Sequence, residues 1–471
     1  MPRKLRFAVV VLALIPVCAA SATAAVRMPI GFYDDPSFRW AAHPTVNLKA
    51  AASEHATIIH ALVSWNQVAK TRPANPLNGN DPAYHLSDID SLVGAAGRYG
   101  FQVLLTITGT PSWANGGQTP NHPPTNLTTL RQFAQMLATR YNGQHGHGLV
   151  TDYSVWNEPN LGLFLIPQYQ GKTIVSPQIY ARLYMAAYSG IKAGNPAALV
   201  AAGETSNRGR QTPSGSPGQD TVAPGLFAED VAKAAPHLPF VAWATHPYPS
   251  SFPDGPTQRV AFPNVSFSTM SRFGASLAKW FGRPVPIWVT EYAEQTKPQF
   301  NYGVSYAQQA TDARKALQLA QANPYVHMFI WFVFRDSTSA TWFSGLETAS
   351  GAPKPALSVF RATAAGMSGQ TQSVAAGKTF AVSVPLPSLY YAVGGGAKVT
   401  VHYALRAGHA VSGKTLISGS AVEKIQSESE IVSFPVKFKP LTGDSYTVTV
   451  TATDGVGGSE SPMPVVALVP A

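Results

Sequence analysis

The sequence predicts an α/β fold, a (β/α)8 TIM barrel, followed by a small all-β domain of Ig-like sandwich type. Between residues 29 and 364, eight apolar strand-like runs alternate with helix-like segments, the pattern of parallel strands joined by helical crossovers. From residue 366 onward, polar and apolar residues alternate between Gly- and Pro-rich turns, which is typical of a sandwich. The 471-residue chain is long enough for one large core and one smaller core.

Several of the predicted barrel strands are apolar at nearly every position, as expected of parallel strands that are buried on both faces. The eight predicted strands cover residues 29–33, 57–65, 102–108, 153–156, 198–202, 240–245, 286–290 and 327–334. Helix-like segments, in which apolar residues recur with helical spacing, cover residues 87–99, 127–141, 176–194, 226–235, 267–281, 305–322 and 355–364. An open doubly wound sheet is the main alternative, but no Gly-rich phosphate loop follows an early strand.

The N-terminus has the layout of a secretory signal peptide. Arg3, Lys4 and Arg6 precede an apolar run over residues 7–17, and small residues follow. This run is too short to span a membrane, so we expect a secreted, extracellular protein with no membrane attachment after signal cleavage. Cys18 is the only cysteine and lies in this leader, so the mature chain is expected to contain neither thiol nor disulfide.

The chain is predicted to have three segments: the signal peptide over residues 1–25, the catalytic barrel over residues 26–365 and the β-sandwich over residues 366–471. The last segment contains no tryptophan, the usual flat platform for a sugar. Packing or a spacer role is therefore favoured for it over carbohydrate binding. The oligomeric state stays open.

The charge pattern argues against nucleic acid as a partner. The formal charge is +10, yet Lys and Arg are scattered, and no known nucleic-acid module concentrates them. His145 and His147 lie in a Gly-rich stretch where no further ligand completes a metal site, so a solvated loop is favoured. We therefore predict neither a metal nor a cofactor.

Two short segments each bring a glutamate to the end of a strand-like run: Val-Trp-Asn-Glu-Pro-Asn at 155–160 and Ile-Trp-Val-Thr-Glu-Tyr at 287–292. In a (β/α)8 barrel the carboxyl ends of all strands meet at one rim, where the chemistry takes place. Glu158 and Glu291 would follow the fourth and seventh strands and face each other, as hydrolysis of a glycosidic bond requires. Glu204, at the end of the fifth strand, is a competing carboxylate that either lines a subsite or is a loop charge.

These two segments resemble the retaining glycoside hydrolases of clan A, the superfamily of cellulase-like and xylosidase-like barrels. Together with Thr-Pro-Ser-Trp at 110–113, the Asn-Glu-Pro segment looks most like glycoside hydrolase family 39 and its relatives. The resemblance covers residues 27–365. It implies double-displacement hydrolysis of a poly- or oligosaccharide, with Glu158 as the general acid/base and Glu291 as the nucleophile.

The resemblance also implies roles for neighbouring residues. Asn157 would hydrogen-bond the sugar hydroxyl beside the reacting carbon, while His246 and Tyr248 would contact the acid/base and the nucleophile. Trp331 would form the platform under the reacting sugar. Because apolar sugar faces stack on aromatic rings, further groove walls are predicted at Trp65, Trp113, Tyr292 and Trp342.

The chain departs from the clan in one residue type. Many members place an arginine near the end of an early strand to orient the nucleophile, whereas Ser64 and Trp65 end the second strand here. Arg335, after the eighth strand, is the candidate substitute.

Two other functions fit the same architecture. One is a catalytically silent carbohydrate-binding or cell-surface barrel, whose rim carboxyls would lie farther apart than the about 5–5.5 Å of a retaining site. The other is a transglycosylase that uses the same residues, which only product analysis distinguishes.

Overall fold

A computed structural model describes residues 28–250, 252–299, 303–338, 342–368, 370–385, 397–407, 414–425, 431–441, 444, 446–453, 459–460 and 466–470. The predicted signal peptide lies outside these residues. Across the described ranges, no helix combines the length and the apolar character needed to cross a bilayer.

Eight parallel strands close into a barrel, which confirms the predicted (β/α)8 fold. They are β1 (Ile30–Tyr33), β2 (Ile58–Ser64), β3 (Gln102–Thr108), β4 (Asp152–Val155), β5 (Leu199–Thr205), β6 (Trp243–Thr245), β7 (Ile287–Tyr292) and β8 (Val326–Phe332). Each strand pairs in parallel with the next one in sequence, and β8 closes the ring against β1. The carboxyl ends of all strands therefore meet at one mouth.

A helix follows every strand. The helices are α1 (Pro44–Ser53), α2 (Ser87–Tyr99), α3 (Leu127–Arg140), α4 (Ser176–Gly194), α5 (Pro224–Ala234), α6 (Met270–Phe281), α7 (Tyr306–Ala322) and α8 (Pro355–Ser368). The sequence pattern does not predict α1, because its apolar residues are mostly alanines and Val46 is exposed. Side-chain caps fix the start of α3 and α7. The side chain of Asn126 accepts a hydrogen bond from the N–H of Thr128, and that of Ser305 accepts one from the N–H of Gln308.

Side chains of the strands alternate between two buried layers. Outward-facing side chains pack against the helices, as Phe329 and Trp331 of β8 do. Inward-facing side chains such as Met328 and Ile330 fill the barrel interior, and Phe332 packs against them while only partly buried. The position of a residue along its strand thus decides whether its side chain can reach the mouth.

The C-terminal segment forms two small sheets. One contains Gln370–Val374, Ala397–Ala407, Thr415–Ile425, Tyr446–Thr453, Ser459–Glu460 and Val466–Pro470, and the other pairs Phe380–Pro385 with Ile431–Val436. Most pairs are antiparallel, but the first and last strands of the larger sheet run parallel to each other, which the sequence pattern does not predict. Side chains of both sheets, such as Val382 and Val401, share one buried apolar cluster.

Candidate active site

The loop after β4 carries Glu158 in an unusual backbone conformation. Trp156 and Glu158 have positive φ angles of 68° and 38°, which cost about 1–3 kcal/mol each for residues with side chains. Three hydrogen bonds hold the turn. The N–H and indole N–H of Trp156 donate to the carbonyls of Ile107 and Phe164 at 2.7 and 2.6 Å. The N–H of Glu158 donates to the carbonyl of Glu204 at 2.9 Å.

A bulge in β7 presents two consecutive side chains to the mouth. Residues 289–292 of β7 lie opposite residues 329–331 of β8, so β7 contains one extra residue. Thr290 and Glu291 both make side-chain hydrogen bonds at the mouth, although strict alternation would place them on opposite faces. Tyr292 then faces the helices.

His246, directly after β6, lies between three carboxylates. Its Nδ1 is 3.0 Å from Oε1 of Glu158 and 3.6 Å from Oε2 of Glu291. Its Nε2 is 2.8 Å from Oε2 of Glu204. The hydroxyl of Tyr248 donates to Oε2 of Glu291 at 2.8 Å. The structure therefore brings His246 and Tyr248 together with both glutamates of the sequence motifs.

Burial and charge set the protonation of this cluster. Burial raises the pKa of Glu291 above its ordinary value, and the charge of Glu158 acts in the same direction, against the opposing charge of His246. Burial alone would lower the pKa of His246, but the surrounding carboxylates raise it well above its ordinary value. For Glu204 the effect of burial is outweighed by His246, so its pKa is lowered. Burial lowers the pKa of His60, on β2, to about 4, so this ring is neutral near pH 7.

The arrangement is compatible with two-carboxylate hydrolysis. Because Glu158 and Glu291 share Nδ1 of His246 as a neighbour, the gap between their nearest oxygens cannot exceed the sum of the two contacts. This limit is compatible with the about 5–5.5 Å of retaining sites. Oδ1 of Asn157 is buried, and it has no hydrogen-bond partner in the described part of the chain. The described residues contain no group of three or more His, Cys, Asp or Glu placed to hold a metal ion.

Three predicted sugar contacts are wrong, because the side chains do not line the mouth: Trp331, Trp65 and Tyr292. All three are fully buried in the outer layer between strands and helices. The indole N–H of Trp331 donates to the carbonyl of Ser344 at 2.9 Å. A platform under the sugar has to lie on the inward face of β8, whereas Trp331 lies on the outward face.

Trp113 and Arg335 have partners within the protein. Trp113 is half-buried in the loop after β3, and its indole N–H donates to the carbonyl of Ala69 at 2.8 Å. Its contact with a sugar stays a prediction. Arg335 pairs with Glu347 at 2.6 Å, so it does not replace the missing arginine beside Glu291.

Phe332 and Tyr33 form an aromatic wall that the sequence motifs do not indicate. Their ring centroids are 4.8 Å apart, and the ring of Trp342 lies 5.2 Å from that of Phe332. Phe332 is only partly buried, so part of its ring is accessible. The alternation of side chains along β8 indicates this wall, because Met328, Ile330 and Phe332 share the inward face.

We expect the substitutions Phe332→Ala and Trp331→Ala to separate substrate binding from stability. Phe332→Ala removes an accessible ring, so KM should rise about two- to twelvefold, which corresponds to the loss of about 0.5–1.5 kcal/mol of ring contact. Trp331→Ala removes a fully buried ring and should lower the free energy of unfolding by about 3–5 kcal/mol. Steady-state kinetics and urea unfolding of both variants check this. A normal KM for Phe332→Ala would show that this ring belongs to the core instead.

Comparisons with known proteins agree with the barrel fold. The family model "Cellulase (glycosyl hydrolase family 5)" matches residues 36–336, more than half of the chain. A glucosidase from Croceicoccus marinus is similar in structure, with a TM-score of 0.55 and 12% identity over 91% of this chain and 96% of that one. The family GH5_18 protein from Streptomyces cattleya, solved with GlcNAc, gives a TM-score of 0.53 and 15% identity over 75% and 85% of the two chains.

A family 39 β-xylosidase from Caulobacter crescentus has a TM-score of 0.51 and 14% identity, over 88% of this chain and 97% of that one. No curated protein matches the chain. At these identities the solved structures establish only a shared fold. The family model, which spans most of the barrel, establishes the family. The resemblance to clan A is confirmed, with family 5 as the matching family and family 39 among the similar structures. The chain belongs to glycosyl hydrolase family 5, the cellulase family, and is a glycoside hydrolase.

Proposed function

We propose that this glycoside hydrolase cleaves O-glycosidic bonds of an oligo- or polysaccharide with retention of configuration, through a covalent glycosyl-enzyme. The observation that carries the proposal is the contact of both Glu158 and Glu291 with Nδ1 of His246. This shared neighbour keeps the two carboxylates close enough to act on one anomeric carbon.

In the first step, Glu291 attacks the anomeric carbon while Glu158 gives its proton to the glycosidic oxygen, and the bond between that carbon and that oxygen breaks. Tyr248 and His246 both approach Oε2 of Glu291, so we assign the attack to Oε1. The products of this step are a glycosyl ester on Glu291 and a free alcohol.

In the second step, the ionised Glu158 takes a proton from water, and the water oxygen attacks the anomeric carbon. The ester bond breaks, which restores Glu291 as a carboxylate and Glu158 as an acid. Asn157, directly before Glu158, would hydrogen-bond the hydroxyl beside the anomeric carbon. Because each displacement inverts the carbon, two displacements restore its configuration.

The configuration of the first-formed sugar tests this proposal. A panel of aryl glycosides and polysaccharides identifies a substrate, and proton NMR then follows the released sugar before it mutarotates. We expect the configuration of the substrate. A product of the opposite configuration would overturn the double displacement. Longer oligosaccharides among the products would instead favour transglycosylation.

Two further proposals concern the ends of the chain. The leader pattern over residues 1–25 supports secretion, which N-terminal sequencing of protein from the culture medium would test. The shared apolar cluster of the two C-terminal sheets supports an Ig-like sandwich as an accessory domain over residues 366–471, separate from the barrel over residues 26–365.

A further inference from the structure

Glu204 is a buried glutamate that the steps above do not use. It ends β5 with a φ of 51°, at a register shift between β5 and β6, and its side chain is fully buried. Its Oε2 accepts a hydrogen bond from the hydroxyl of Thr290 at 2.7 Å and lies 2.8 Å from Nε2 of His246. The interpretation of Glu204 as a solvated loop charge is therefore wrong.

The contacts of His246 restrict where its protons lie. An ionised carboxylate only accepts hydrogen bonds, whereas a neutral imidazole has a single N–H. Glu204 already accepts from Thr290, so Nε2 of His246 donates to it. Nδ1 can then either accept the O–H of Glu158 or donate to Oε1 of that residue.

These two states have opposite consequences for catalysis. If Nδ1 accepted, the proton of Glu158 would point at His246 and away from the glycosidic oxygen. If Nδ1 donates, Oε1 of Glu158 is the acceptor, and Oε2 is free to carry the proton toward the leaving group. The second state requires a doubly protonated ring.

The charges around His246 favour the doubly protonated ring. The facing groups are Glu158 after β4, Glu204 on β5, Glu291 on β7 and Tyr248 in the same loop as His246. His60 on β2 is the other nearby titratable ring, and its low pKa keeps it neutral. Within the described ranges, His246 is the only cationic side chain that pairs with Glu291.

We propose that Glu204 is a positioning residue that holds His246 as an imidazolium, which directs the proton of Glu158 toward the substrate and places a buried cation beside Glu291. This inference rests on the proposed roles of Glu158 and Glu291. His246, directly after β6, would then supply the positive charge for which the end of β2 has no arginine.

Nitrogen NMR of the wild-type protein tests the protonation directly. The protein is labelled with ¹⁵N-histidine, and the signals of His246 are assigned by their loss in His246→Asn. We expect both ring nitrogens of His246 to carry protons at pH 7. An unprotonated Nδ1 or Nε2 would overturn the inference. The measurement needs no substrate, so its result is independent of whether the proposed hydrolysis takes place.

The substitution Glu204→Gln tests the function of the charge. Gln keeps the size of the side chain, but we expect His246 to lose one proton at pH 7. Without this cation the pKa of Glu291 rises, so the acidic limb of the kcat/KM profile should move up by roughly one pH unit. The direct repulsion between Glu204 and Glu291 acts in the opposite direction, but its effect on Glu291 is smaller than that of His246. An acidic limb that stays at its wild-type pH, or that moves to lower pH, would overturn the inference.

Two variants control for a merely structural effect. Glu204→Asp keeps the charge and should return the acidic limb toward its wild-type position, even if the shorter side chain lowers kcat. Asp152→Asn replaces another buried carboxyl, at the opposite end of β4 from Glu158, whose pKa burial raises to about 7, and should leave the acidic limb in place. A limb that moves equally in Asp152→Asn would show that replacement of any buried carboxyl has this effect and would overturn the assignment.

Discussion

Replacement of Glu291 with Gln is expected to lower kcat/KM by at least about 10⁴-fold, for activated aryl glycosides as well as for polysaccharides. Gln keeps the shape of the side chain and can still accept the hydrogen bond from Tyr248, but its amide oxygen is a poor nucleophile. A better leaving group does not compensate, because the missing group is the one that attacks the carbon. Initial rates over a series of leaving groups measure this.

Glu294→Gln is the matched control for this prediction. Glu294 is fully buried, and its Oε1 accepts a hydrogen bond from the hydroxyl of Tyr292 at 2.5 Å. Burial raises its pKa well above its ordinary value, so the native side chain is neutral and an amide resembles it closely. We expect nearly wild-type kcat/KM. Equal losses in Glu291→Gln and Glu294→Gln, or wild-type rates in both, would contradict the role of Glu291 as nucleophile.

Replacement of Glu158 with Ala is expected to cause a loss that depends on the leaving group. General acid catalysis contributes about 10²–10⁴-fold, and polysaccharides, whose leaving oxygen needs a proton, should lose that factor. Dinitrophenol leaves without a proton, so the first step should stay fast for its glycosides. The ester on Glu291 should then accumulate, because no base activates water. Rapid-quench measurement of a phenol burst checks this.

Azide separates the roles of the two glutamates further. In Glu158→Ala, this small anion can enter the space beside His246 and attack the ester without the help of a base. We expect it to restore turnover and to give a glycosyl azide with the configuration of the substrate. An azide of the opposite configuration would mean that Glu158 occupies the nucleophile's side of the sugar.

Most of the barrel could be predicted because its strands are buried on both faces and therefore form continuous apolar runs. The strand Gln102–Thr108 is buried at every position, and Val103, Leu104, Leu105 and Ile107 are apolar. The helix Pro44–Ser53 could not be predicted, since alanines that pack against the barrel do not stand out from alanines in a loop. In the C-terminal segment, strand patterns are visible, but the parallel pairing of its first and last strands depends on contacts that the sequence does not display.

The carboxylates of the site could be predicted because they end strands, whereas the aromatic wall could not. Trp331 and Phe332 are neighbours in sequence, yet their rings lie on opposite faces of β8. A motif identifies the segment but not the face. The bulge at Thr290 and the turn at Glu204 locally change which face of the strand a side chain occupies. Neither irregularity can be predicted from residue type. The contact of Glu204 with His246 joins separate strands and emerges only from the closed barrel.

The proposed catalytic residues lie in both halves of the barrel. Asn157 and Glu158 belong to the half that ends with β4, whereas Glu204, His246 and Glu291 belong to the half that begins with β5. The halves meet where β4 pairs with β5 and where β8 pairs with β1, and at the first of these seams the N–H of Glu158 donates to the carbonyl of Glu204. Neither half-barrel alone holds both Glu158 and Glu291. Hydrolysis by a chain cut at this seam would therefore report the reassembly of its two fragments.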